Sequence, residues 1–92
     1  MEVTMNCYEH NHEDISITEE SENLIVFNLR NGTISQLNSM GQIIWTNIPN
    51  KSVEEIVDLI VEKYDAERKE VQDDVQEYID KLLENRLIFK KQ

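Results

Sequence analysis

Three residues near the amino terminus, Cys7, His10 and His12, are of the types that hold zinc through a thiolate and two imidazoles. A closed protein site needs a further ligand, and this spacing matches no common zinc motif, so a tail without metal is the plainer reading. Seven carboxylates cluster between positions 67 and 84 (Glu67, Glu70, Asp73, Asp74, Glu77, Asp80 and Glu84). Paired carboxylates can perform acid-base or metal chemistry. Acids lying opposite an apolar helical stripe are ordinarily just solvated. There is no glycine-rich phosphate loop, and no histidine follows position 12 to activate a nucleophile. The expectation is a protein that is not an enzyme and carries neither cofactor nor metal.

The charge balance narrows the partners. Nineteen acidic and nine basic side chains in 92 residues give a formal charge of −10, which repels nucleic acid and anionic membrane surfaces and favours a basic partner. The single cysteine excludes an intramolecular disulfide. No stretch resembles a signal peptide or reaches the roughly 20 apolar residues of a membrane-spanning helix, so a cytoplasmic location is expected.

The elements that must position any site follow from periodicity. Residues 1–14 show neither helical nor strand alternation and are expected to form a flexible or loosely docked arm, with the domain proper over 15–92. "ISIT" (15–18) alternates as a strand does, and the nearly continuous apolar run "LIVFNL" (24–29) suits a central strand. Asn31-Gly32 is a favoured pair for a two-residue type I′ turn, which would place Leu29 opposite Ile34 and Val26 opposite Leu37, with "TISQL" (33–37) as the third strand.

Three helices should follow. Asn38 or Ser39 can cap the first, which carries Met40, Ile43, Ile44 and Ile48 on one face and ends before Pro49. Gly41 in its first turn costs about 1 kcal/mol of helix propensity, which a close backbone approach to the sheet would explain. Ser52 and Glu55 have capping-box spacing at the start of the second helix, whose apolar residues Val53, Ile56, Val57, Ile60, Val61 and Tyr64 recur at helical spacing. A third helix over about 67–85 repeats the pattern through Val71, Val75, Tyr78, Ile79, Leu82 and Leu83. "LIF" (87–89) either packs beneath the sheet or adds a short extended segment.

The third strand is the unusual element. Exposed sheet edges are normally guarded by charge, proline or a bulge, and "TISQL" has neither charge nor proline. A covered or short edge is one reading. The other is an edge that awaits an extended peptide, which would pair with its free N–H and C=O groups.

The order Leu37-Asn38, Gly41, Ile44-Trp45, then "SVEEIVDLIVEKYD" and "VQDDVQEYIDKLLENRLI", resembles the PqqD-like family of RiPP precursor peptide recognition elements over residues 15–89. The resemblance implies an α+β, winged helix-turn-helix-like domain in which a three-stranded antiparallel sheet precedes three helices. It also implies that the leader of a ribosomally made precursor adds as a strand beside the third strand, in a groove shared with the third helix. Carried onto this chain, the edge is Thr33, Ile34, Ser35, Gln36 and Leu37, and the helix contributes Val71, Asp74, Val75, Tyr78 and Leu82, with Val75 and Tyr78 receiving leader side chains. Trp45 is assigned to packing.

A freestanding unit of this size is similar to the leader-binding proteins of lasso-peptide pathways, which act with a separate leader peptidase. It is also similar to PqqD, which serves a radical S-adenosylmethionine enzyme. The resemblance thus implies a precursor peptide and a maturation enzyme or leader peptidase as partners, and a monomer or weak homodimer. The alternative is a winged-helix DNA-binding or transcription-associated protein. Seven acidic against four basic residues between 67 and 86 oppose the phosphate contacts this would need. A structural subunit of a larger assembly is the third reading.

Overall fold

The computed structural model describes residues 8–91. Its elements are β1 (Tyr8–His10), β2 (Ile15–Glu20), β3 (Asn23–Asn28), β4 (Ile34–Leu37), α1 (Ser39–Asn47), α2 (Val53–Tyr64), α3 (Arg68–Glu84) and β5 (Ile88–Lys90). β2, β3 and β4 form a three-stranded antiparallel sheet with β3 in the centre, and β1 and β5 form a separate two-stranded ladder. The architecture is α+β, with three helices following the meander.

The sheet presents one face to the helices. Val26 on β3 and Leu37 on β4 are buried there, against Ile44 of α1, Ile60 of α2 and Ile79 of α3. Burying a side chain of this size contributes about 1.5–3 kcal/mol. On the opposite face Ile34 lies in line with Phe27 and is 64% exposed.

The hairpin register differs from the expected one by two residues: Leu24, not Val26, faces Leu37, and Phe27 faces Ile34. The connection is a four-residue loop. Asn28 N–H donates to the Thr33 carbonyl at 2.9 Å, and the Asn28 carboxamide oxygen accepts from the Arg30 and Asn31 amides at 2.9 and 3.3 Å. That side-chain turn replaces the two-residue one, and only Gly32 (φ 77°) takes a left-handed conformation. Because side chains alternate with period two, a slip of two leaves every residue on its expected face.

The helices start as the sequence predicts. The Asn38 side chain accepts from Gly41 N–H at 2.9 Å, and Ser52 and Glu55 satisfy each other's backbone amides at 2.9 and 3.2 Å. The helical glycine has a different cause from the expected one. A Cβ on Gly41 would overlap the phenol ring of Tyr78, so the close approach is to α3 and not to the sheet.

Residues 1–7, including Cys7 of the Cys7, His10 and His12 trio weighed and set aside as a zinc half-site, lie outside the described residues. Residues 8–14 differ from the expected arm. Tyr8 is buried, β1 pairs antiparallel with β5, and the His10 ring stacks on Trp45 with centroids 4.0 Å apart. His10 Nε2 is 2.7 Å from the Trp45 carbonyl, which commits that ring to packing. Residues 87–89 supply the partner strand, with Leu87 and Ile88 buried. Among the described residues no helix is long and apolar enough to cross a membrane.

Candidate functional site

β4 is the end strand of its sheet, and the ladder alternation decides which of its backbone groups are free. Asn28 bonds Thr33, so Ser35 and Leu37 also direct their N–H and C=O toward β3. Ile34 and Gln36 therefore direct theirs outward. No described strand occupies that side. A short row of unpaired donors and acceptors stands along β4.

Beside this row lies a groove of about 440 Å³, walled on one side by Ser35, Gln36 and Leu37 and on the other by α3. Two ties set the helix antiparallel to the strand. At the end of β4, the Tyr78 hydroxyl donates to the Asn38 carboxamide at 3.1 Å, and at its start Asn85 Nδ2 donates to Ser35 Oγ at 3.4 Å. Partial burial against Gly41 pushes the Tyr78 phenol above its ordinary pKa, so it stays protonated and able to donate.

The far end of α3 is held more firmly. Leu87 N–H bonds Leu82 O and Arg86 N–H bonds Leu83 O, a Schellman closure with Arg86 in the left-handed region (φ 60°). Two buried asparagines grip this turn. Asn28 Nδ2 donates to the carbonyls of Asn85 and Arg86 at 3.0 and 3.2 Å, and Asn11 Nδ2 donates to the Arg86 carbonyl at 2.9 Å. The hairpin that presents the edge is thus bolted to the helix that forms the opposite wall.

Six of the ten expected site residues line the groove: Ser35, Gln36, Leu37, Asp74, Tyr78 and Leu82. Thr33 falls in the turn, where its hydroxyl and amide both donate to Asn31. Ile34 contributes its outward backbone, while its side chain lies on the open sheet face. Val75 is 0% exposed, so it packs in the core and cannot receive a ligand side chain. Val71 is buried and borders a neighbouring hollow of about 360 Å³ lined also by Met40, Ile60, Tyr64, Glu70 and Asp74. Met40 and Asp74 are common to both hollows, so the second extends the first beyond the end of β4.

Met40, Glu77, Lys81 and Asn85 complete the lining and were not expected. The signal was present on α3: Asp74, Tyr78, Lys81 and Asn85 recur at i, i+4, i+7 and i+11, a mixed stripe flanking the apolar one. Such a set offers hydrogen bonds, apolar contact and both signs of charge.

Solved structures share this architecture. One, TbiB1 in complex with the TbiA(beta) leader peptide, is 25% identical, with a TM-score of 0.75 over 87% of this chain and 93% of that one. Another, a lasso peptide synthetase B1 complexed with the leader peptide, has a TM-score of 0.79 over 89% of this chain and 96% of that one at 19% identity, and shows likeness of fold alone. No curated protein sequence gives a significant match. The profile of coenzyme PQQ synthesis protein D (PqqD) matches residues 23–88, from the first residue of β3 into β5, and the chain belongs to that family.

Proposed function

We propose that this protein binds the leader region of a ribosomally synthesised precursor peptide by strand addition to β4 and presents it to a modifying enzyme or leader peptidase. The observation that carries the reading is the outward row of Ile34 and Gln36 backbone groups standing directly over a groove. An extended peptide would pair with that row, each hydrogen bond contributing about 0.5–1.5 kcal/mol net, and set alternate side chains between β4 and α3. The Tyr78 ring, as expected, and Leu82 and Met40 in place of the buried Val75 supply apolar contact in the groove. TbiB1 and the lasso peptide synthetase B1, both of like fold, are named as complexes with leader peptides, which supports the same ligand class here.

In this reading the protein is a noncatalytic, winged helix-turn-helix-like adaptor acting in the cytoplasm as a monomer or weak homodimer. Residues 15–92 form the recognition unit, to which β1 adds a docked strand. The test is titration of the 15N-labelled protein with the leader of the precursor encoded beside its gene. Shifts should concentrate at 34–37 and on the 74–85 face of α3. Shifts confined to β2, α2 or β1 would overturn the assignment.

A further inference from the structure

The two ends of the groove differ in charge. α3 runs antiparallel to β4, as its ties to Asn38 and Ser35 establish, so Asp74 and Glu77 stand toward the end of the strand and Lys81 toward its start. Glu70 adds a third carboxylate where the groove passes into the hollow beyond β4. None of these four side chains is spent within the protein, because Arg68 with Asp58 is the only ion pair among the described residues. Glu77 and Lys81 are one helical turn apart, yet do not pair.

Resting on the leader-binding reading, we propose that this groove reads charge order along the peptide. A lysine or arginine enters at Asp74 and Glu77, and an aspartate or glutamate follows at Lys81. The direction comes from the sheet, in which every pairing is antiparallel, so an added strand running against β4 meets the acidic end first. The spacing comes from the helix. From Glu77 to Lys81 α3 rises about 6 Å and from Asp74 to Lys81 about 10 Å, which is about two to three residues of strand. Only every second strand residue faces the groove, so the two charges sit two or four residues apart. The floor at the acidic end, Met40 and beyond it Tyr64, suits the methylene stem of a basic side chain whose head reaches the carboxylates.

The experiment is selection of random twelve-residue peptides, displayed on phage, against the full-length protein and against an Asp74→Lys, Glu77→Lys, Lys81→Glu variant whose fold is checked by circular dichroism. These positions are solvent-exposed, so the swap leaves the core intact. The wild-type protein should enrich peptides with Lys or Arg two or four residues before Asp or Glu, and the variant should enrich the reverse order. Each protein should prefer its own winners at least fivefold in anisotropy titrations. Enriched peptides without charge order, or with one order on both proteins, overturn the charge rule while leaving leader binding in place. Winners that bind an Ile34→Pro variant undiminished, or no enrichment at all, overturn strand addition itself.

Discussion

The chain closes one short ladder with its own end and leaves another edge open. β5 completes β1, and the pairing is anchored by the His10 ring on Trp45 and by Asn11 on the Arg86 carbonyl. β4 has a row of equivalent backbone groups and nothing described on its outer side. The difference does not lie in hydrophobicity, since Phe89 of β5 and Ile34 of β4 are both exposed. It lies in anchoring. Where side chains hold a strand's partner in place, the sheet is filled internally. Where side chains instead hold the opposite wall at a distance, as Tyr78 and Asn85 do, the edge stays open beside a groove.

A pair of proline substitutions separates the two kinds of backbone group on β4. Ser35→Pro removes an inward N–H bonded to β3 and should lower folding stability by about 3 kcal/mol or more. Ile34→Pro removes an outward N–H, so it should leave stability within about 1 kcal/mol while weakening leader binding at least tenfold. Thermal melts and anisotropy titrations measure both. Equal stability losses would mean that β4 has no inward and outward distinction, and a larger loss for Ile34→Pro would mean that the assignment is reversed.

The wall of the groove is the next point of attack. Asn28→Ala deletes a buried donor shared by two carbonyls at the turn after α3 and the acceptor that shapes the β3–β4 loop, leaving the Arg86 carbonyl to Asn11 alone and the Asn85 carbonyl to Asn31 alone. A loss of about 2–3 kcal/mol in urea denaturation is expected. Gly41→Ala improves helix propensity by about 1 kcal/mol but drives a methyl into the Tyr78 ring, which must leave Asn38. The net should be a modest destabilisation with weaker leader binding. Adding Tyr78→Ala to Gly41→Ala should restore part of the stability and none of the binding. A Gly41→Ala protein more stable than wild type would show that the contact is loose.

What the sequence made legible follows from range. The caps at Asn38 and Ser52 and the apolar stripes of α2 and α3 are encoded within a few residues, and they stand where the pattern puts them. The hairpin register was misread because the Asn28 side chain, not the Asn31-Gly32 pair, dictates the turn. β1 was missed because three residues carry no period and their partner lies some 80 positions away. Val75 was misassigned because one apolar stripe was asked to serve both core and groove. The core takes its centre, and the groove takes its polar flank.

The smallest expected effect concerns the ladder that the chain closes for itself. Burial against Trp45 lowers the His10 pKa from its ordinary 6.5, outweighing the hydrogen bond to the Trp45 carbonyl, and the nearby His12 lowers it further. The unfolded chain therefore binds a proton at His10 more readily than the folded chain does. Stability from this group is complete above pH 6.5, falls as the pH drops toward the lower folded-state value, and levels off beneath it. Because the ring is only partly buried, the fall is slight, and it belongs to β1 alone. Backbone amides of residues 8–10 and 88–90 should lose protection from hydrogen exchange at pH 5.5 relative to pH 7.5, after correction for intrinsic rates, while β3 and β4 keep theirs. His10→Phe retains a ring over Trp45 but no titrating nitrogen, so it should flatten this dependence. Persistence of the pH effect in that variant would place its origin elsewhere and leave the open and closed edges equally insensitive to His10.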